Sequence, residues 1–368
     1  MHIAIIGCGQ LARMMALDGW RMGLSFSFLA NPGESRVCVD GLGSIVELEQ
    51  GLDGEALFNA LGQPEVVTVE REHVDTVLLA SLADFCRVCP NPKAIEVSQH
   101  RGREKSFVNS LGIETAPFEL ANSLESLKAA VAKVGLPVII KTCGEGYDGK
   151  GQWKIDSAAE FEANLAEIDI SKELIVEKVI RFEKEVSVIS VRSVNGETAV
   201  YPITENEHHE GILVKSIAPA ELTCDVLSAE AKRAATLILE ALDYVGVLSI
   251  EFFVVGDKLL VNELAPRVHN SGHWTQAGDV CSQFENHLRG ICDMVLGATE
   301  PSMNVAMVNL LGFDVKTDLL TASNMQLHSY NKTAQPKRKV GHLNLWGQDR
   351  EKLCAQVEQV SKALYSDH

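Results

Sequence analysis

The stretch from Leu248 to Gln276, LSIEFFVVGDKLLVNELAPRVHNSGHWTQ, restricts what this chain can fold into more than any other. Two runs of apolar and β-branched residues flank Val255-Gly256-Asp257-Lys258, the pattern of a β-hairpin. One carboxylate interrupts each run, Glu251 in the first and Glu263 in the second, with Asn262 beside it. A three-residue loop at 256–258 sets Glu251 opposite Glu263 on one face, about 5 Å apart at Cβ. A two-residue loop sets them on opposite faces, because a one-residue slip inverts every side chain. Facing carboxylates repel unless a cation lies between them, and Mg²⁺ takes one or two carboxylates together with substrate phosphates. The pair therefore suits a magnesium–nucleotide site, against the simpler reading of an edge hairpin with two unrelated acids. After the hairpin, Arg267, His269, Asn270, His273 and Trp274 crowd a turn-rich segment in which we expect no core to be filled.

The rest of the chain sets limits on that site. Its 368 residues imply two or three domains and ample material for a core. A net charge of −17 argues against nucleic acid or an anionic membrane as the main partner, since both require a basic face. An acidic protein meets phosphates only through locally placed Lys, Arg and Mg²⁺. The nine cysteines form no regular framework, and Cys86-Arg87-Val88-Cys89 is an isolated CxxC with no His at zinc spacing. The thiols read as reduced, mostly buried residues of a cytoplasmic protein, and the Cys86–Cys89 pair as holding no zinc. Ile3–Ile6 is too short for a signal sequence, and no apolar run approaches the ~18 residues of a membrane span.

His2–Ile6 is an apolar strand leading into Gly7-Cys8-Gly9-Gln10-Leu11-Ala12 and a helical stretch through Arg21, the start of a doubly wound α/β unit. The second strand, near Leu24–Leu29, ends in Ala30-Asn31-Pro32, with no acid to hold a nucleotide ribose. The glycines therefore read as close helix–strand packing rather than a dinucleotide site. Val66–Val69 is a further strand, and Pro90 and Pro92 mark the end of a first domain at 1–96. A helix from about Ser98 to Leu111 carries Arg101, Arg103 and Lys105 near its start, and Asn122 with Glu125 caps the next. Pro137–Lys141 is a strand ending in a lysine. The segment after it, Thr142-Cys-Gly-Glu-Gly-Tyr-Asp-Gly-Lys-Gly-Gln152, is rich in glycine and leaves backbone N–H groups free to wrap phosphate oxygens. Glu177 and Glu185 end two later strands, and taken alone they read as exposed acids. Asn206–Gly211 reads as a mobile loop in which His208 and His209 hold no metal. Ser228–Leu242 and Gln283–Val295 are helices. After Gly297 come short strands at 307–311, 326–330 and 340–345 and a helix from Arg350 to Tyr365, with Lys332, Lys337, Arg338 and Lys339 as a basic cluster.

This order of parts resembles the ATP-grasp superfamily. Gly9-Gln10-Leu11, Gly146–Gln152, the run Asn262–Gln276 and Lys339-Val-Gly-His-Leu-Asn344 narrow the likeness to the ATP-dependent 5-(carboxyamino)imidazole ribonucleotide synthetase family. The resemblance implies an N-terminal α/β domain and an ATP-grasp domain at 97–300, with a lid at about 115–178. A small β-rich domain at 301–368 completes it. It implies a ligase using ATP and Mg²⁺ (or Mn²⁺), with bicarbonate and 5-aminoimidazole ribonucleotide as substrates, in a homodimer. A formate-dependent glycinamide ribotide transformylase is the nearest alternative. By the same resemblance, Arg101 and Lys141 meet ATP phosphates under a loop of Gly146, Tyr147, Gly149, Lys150, Gly151 and Gln152. Glu177 and Lys178 lie at the adenine hinge, Glu185 takes the ribose hydroxyls, and Glu251 and Glu263, helped by Asn262, hold the metal. Arg267, His269 and Asn270 line the carboxylation site with Tyr147 and Asp148, while Lys332 and Arg338 take the ribotide phosphate. Two positions depart from the family pattern: Glu145 and Lys337 each stand where a glycine is usual.

Overall fold

The computed structural model describes residues 1–144, 151–222 and 224–365. The first layer runs β1 (His2–Ile6), α1 (Gln10–Arg21), β2 (Ser25–Ala30), β3 (Ser44–Glu47), α2 (Gly54–Ala60), β4 (Val66–Val69), α3 (Thr76–Ala83) and β5 (Arg87–Val88). The strands pair in parallel in the order β3-β2-β1-β4-β5. Strands covered on both faces must be apolar throughout, and Ile3–Ile6 and Val66–Val69 are buried along their whole length.

The glycine turn after β1 serves a purpose the sequence did not reveal. Glu70, just past β4, lies buried beneath it and accepts hydrogen bonds from Gly9 N–H (2.5 Å) and Ala12 N–H (3.0 Å). A Cβ on Gly7 would lie 2.5 Å from Glu70 Cγ, and one on Gly9 would lie 2.6 Å from its Oε1. The turn is glycine-rich to admit this side chain, not for helix–strand packing. The protein's own carboxylate takes the start of α1, where a nucleotide fold places a phosphate.

The chain continues through α4 (Pro92–Ser98) and α5 (Arg101–Ser110) into an outlying antiparallel sheet. That sheet comprises β6 (Phe118–Ala121), β7 (Val138–Thr142), β8 (Gln152–Ile155) and β9 (Leu174–Lys178), in the order β6-β9-β7-β8. Helices α6 (Leu124–Val134) and α7 (Ala158–Asn164) cover it. Ser123, rather than Asn122, caps α6, and its box partner is Ser126 instead of Glu125.

The large central sheet carries β10 (Lys184–Arg192), β11 (Thr198–Val200), β12 (Thr204–His209) and β13 (Ile212–Ala218). After α8 (Asp225–Ala241) come β14 (Gly246–Val255) and β15 (Lys258–Ala265), and past α9 (Gln283–Ile291) come β16 (Asn304–Leu311), β17 (Met325–Ser329) and β18 (Lys339–Gly347). Its order is β15-β14-β10-β12-β13-β16-β18-β17, so the C-terminal strands extend the same sheet, with α10 (Arg350–Tyr365) packed beside them. The segment read as a mobile loop at 206–211 is instead most of β12 and its turn, a ladder strand between β10 and β13. One buried histidine joins the layers: His287 on α9 meets Thr68 Oγ1 at 2.8 Å and accepts Val247 N–H at 3.0 Å.

Candidate functional site

The central hairpin has a two-residue turn, Gly256-Asp257, with Val255 paired to Lys258. On its own that register would part the two acids. A bulge shifts the ladder by one residue between Val261 and Glu263, leaving Asn262 as the extra residue, so Glu251 pairs directly with Glu263. Burial and then the charge of Glu263 push the Glu251 carboxyl up to about 7. Glu104 on α5 backs the pair: its buried carboxyl is raised well above the usual range, first by burial and then by Glu263. Three carboxylates converging in this way call for a cation. An all-oxygen donor set of Glu251 and Glu263, with Asn262 adjacent, fits Mg²⁺.

A cavity of about 880 Å³ opens over this hairpin. Arg101, Lys141, Gln152, Glu177, Glu185, Glu251, Asn262, Glu263, Arg267, His269, Asn270, Lys332 and Arg338 all line it. Gln152 faces Lys141 across the β7–β8 ladder. Two candidates lie elsewhere: the Lys178 ammonium donates to Gly135 O (2.7 Å) and Leu136 O (2.9 Å), and Gly151, at φ +68°, accepts Thr142 N–H at 3.2 Å. Gly146, Tyr147, Asp148, Gly149 and Lys150, like Glu145, fall outside the described residues.

At one end of the cavity Lys141 Nζ donates to Glu177 at 2.8 Å, and the buried Lys105 stands 3.5 Å from the other oxygen while donating to Asn262 O at 3.1 Å. Burial opposes ionisation of Glu177, but the charges of Lys105 and Lys141 hold it below the ordinary carboxylate range. Its side chain is thus an internal counter-ion, not an exposed strand-end acid. Sequence reasoning gave Glu104 and Lys105 no role. The signal was present, since Arg101, Glu104 and Lys105 recur at i, i+3 and i+4 and share one helix face. Further along the wall, His208 Nδ1 meets Glu185 at 2.9 Å. Burial disfavours the imidazolium, yet the Glu185 bond and charge lift His208 above the usual histidine range.

On the wall past the hairpin Arg267 grips Glu72 through Nε (2.5 Å) and Nη2 (3.3 Å). Burial works against the Glu72 carboxylate, but the Arg267 charge and hydrogen bonds hold it down at about 2. His269 Nε2 lies 3.4 Å from Glu251, and burial followed by the charge of Arg267 keeps the ring neutral, so this contact is not an ion pair. Asn270 forms a reciprocal amide pair with the buried Asn309 of β16, at 3.0 and 2.7 Å. Contrary to expectation, the rest of this segment does fill core. His273 and Trp274 are fully buried, and Trp274 donates to Thr204 and packs edge-on against Tyr201. Opposite, Lys332 donates to Gln10 and shares the wall with Arg338, and burial holds its ammonium below the ordinary lysine range. Lys337 takes φ +62° beside Arg338, the left-handed conformation that glycine adopts freely, and pairs with Glu210 at 2.6 Å.

The chain matches the ribonucleotide synthetase preATP-grasp domain family over residues 1–99. It matches the ATP-grasp domain family over 106–284 and the phosphoribosylaminoimidazole carboxylase C-terminal domain family over 305–356. The N5-carboxyaminoimidazole ribonucleotide synthase of Pseudomonas aeruginosa is 40% identical over 365 residues, covering 99% of each chain. The crystal structure of N5-carboxyaminoimidazole ribonucleotide synthetase from Thermus thermophilus superimposes with a TM-score of 0.90 at 41% identity, over 98% of both chains. That of N5-carboxyaminoimidazole synthase from Aspergillus clavatus, in complex with ADP and 5-aminoimidazole ribonucleotide, gives 0.87 at 26% identity, over 99% of this chain and 98% of that one. No helix among the described residues is long and apolar enough to cross a membrane.

Proposed function

Because this chain belongs to the N5-carboxyaminoimidazole ribonucleotide synthase family, we propose that its cavity is where ATP drives bicarbonate onto the exocyclic amine of 5-aminoimidazole ribonucleotide. The chain is an ATP-grasp carbon–nitrogen ligase. One observation carries the site assignment: phosphate-type cations, a facing acid pair and a second basic wall line a single cavity.

In this reading Arg101 and Lys141 take the ATP phosphates, with Lys105 and Glu177 fixing where the Lys141 ammonium points. Glu185, oriented by His208, takes the ribose hydroxyls, and Glu177 and Lys178 lie at the adenine hinge. Mg²⁺ held by Glu251 and Glu263 would neutralise the β- and γ-phosphate charge. Arg267, anchored by Glu72, holds bicarbonate. Neutral His269 and the Asn270 amide, pinned by Asn309, complete that wall with Tyr147 and Asp148. Lys332 and Arg338 take the ribotide phosphate, a planar fork beside a point charge.

A bicarbonate oxygen attacks the γ-phosphorus and the bond to ADP breaks, giving carboxyphosphate. Positioning and charge neutralisation dominate such a step. The amine nitrogen then bonds to the carboxyl carbon, directly or through CO₂ released in the closed site. The C–O bond to phosphate breaks and the amine loses a proton. Water must be excluded because the intermediate hydrolyses. The reading carries with it a cytoplasmic homodimer. It is tested by measuring ADP release with ATP, bicarbonate and the ribotide, each omitted in turn. Full release without the ribotide would count against it.

A further inference from the structure

Among the described residues, a second group of ligand-type side chains lies outside the cavity lining. His100 immediately precedes α5, Cys143 immediately follows β7, and Glu173 immediately precedes β9. One ligand atom from each lies within 4.8 Å of the other two. Cys143 is buried, His100 half-buried and Glu173 exposed, so the group has a closed floor and an open side.

The backbone holds the three residues together. Arg101 N–H donates to Cys143 O and Cys143 N–H to Glu173 O, each at 2.9 Å. His100 Nδ1 accepts Arg103 N–H at 3.1 Å, which leaves the proton of the neutral ring on Nε2, 3.1 Å from a Glu173 oxygen. A metal ion entering here replaces that proton and finds the ring already aimed.

We propose that His100, Cys143 and Glu173 form a site for zinc or a zinc-like ion, distinct from the acid pair of the cavity. One nitrogen, one sulfur and one oxygen are the borderline-soft donors that zinc takes, with three protein ligands and a water in the fourth position. Mg²⁺ and Ca²⁺ prefer oxygen alone, so the two sites sort cations by softness. Ligand atoms around tetrahedral zinc stand roughly 3.3–3.8 Å apart, given bonds of about 2.0–2.3 Å. The group must therefore close by about an ångström when the ion binds. Burial and then the Glu173 charge push the Cys143 thiol up to about 11, and a bound metal ion reverses that preference.

The position gives the ion an effect. Arg101 follows His100 and donates through Nη1 to Thr142 O at 2.9 Å, while Cys143 links the Lys141 strand to Gly144. Zinc there ties α5 to the outlying sheet at the root of the glycine-rich segment and inhibits turnover. This consequence rests on the nucleotide-site reading above; the metal site does not.

The test is a titration of the intact protein with Co²⁺ in excess Mg²⁺, read by the near-ultraviolet thiolate-to-cobalt charge-transfer band. The band should saturate at one equivalent, vanish on addition of Zn²⁺ and be absent from Cys143→Ser. Glu173→Gln alters only an exposed side chain, so the fold survives; it should weaken Co²⁺ binding by about 100-fold or more, beyond the loss typical of an outer-shell partner. A double Cys86→Ser/Cys89→Ser variant should keep the band. Absence of any band from the unaltered protein, or its persistence in Cys143→Ser, overturns the site. An intact band without inhibition of ADP release by Zn²⁺ overturns only the inhibitory consequence.

Discussion

Replacing Glu72 by Gln removes the charge that holds Arg267, and the structure sets the size of the effect. The two side chains keep only 16% and 11% of their surface, so solvent screens the pair little. Holding a carboxyl at about 2 instead of 4.5 corresponds to about 3 kcal/mol of folding stability. That lies at the lower edge of the roughly 3–5 kcal/mol lost when one partner of a buried pair is removed. Because the folded-state value is depressed, the contribution is complete above the unfolded value. It declines as pH falls from about 4.5 towards 2. Urea unfolding of both proteins from pH 7 to 3.5 should show a gap of about 3 kcal/mol that narrows to about 2 kcal/mol at the acid end. Folded Glu72→Gln should also release ADP on the order of 100-fold more slowly, because Arg267 is no longer held in place. Equal stability at pH 7, or a gap that does not change with pH, would refute the argument.

Glu263→Gln should abolish ADP formation while the protein stays folded; near-normal turnover would contradict its role with Glu251. Arg338→Ala should raise the ribotide KM by about one to two decades and leave the ATP KM little changed; an equal rise in both would mean that the loop supports the fold instead. NADH should show no saturable fluorescence enhancement at micromolar concentration, because Glu70 fills the glycine turn; a clear saturation curve would show that reading wrong.

Much of this architecture was legible because the physics acts locally. The apolar strand β1 and the helix α10 follow from periodicity alone, and both occupy the expected residues. The acid pair was harder. Both registers of the hairpin were open, the shorter turn is the one formed, and only the bulge at Asn262 brings Glu251 back opposite Glu263. Nothing in loop length announces a bulge. Strand β12, TENEHH, has no apolar residue, so its Asn206–His209 part reads as a loop, although its neighbours β10 and β13 supply the ladder. The partners Glu72 and Asn309 are contacts across long sequence separations, and no local pattern reports them. His273 and Trp274 stand in a turn that reads as filling no core, because polar and aromatic groups crowd it. Their burial comes from β13, β16 and β18 closing over it.

In the proposed reaction a bicarbonate oxygen attacks the γ-phosphorus of ATP in this cavity. Turnover with ¹⁸O-labelled bicarbonate, unlabelled ATP and 5-aminoimidazole ribonucleotide, followed by mass analysis of the released phosphate, tests it directly. The phosphate formed at each turnover should carry one bicarbonate-derived oxygen. Phosphate carrying oxygen only from ATP and solvent water would contradict it.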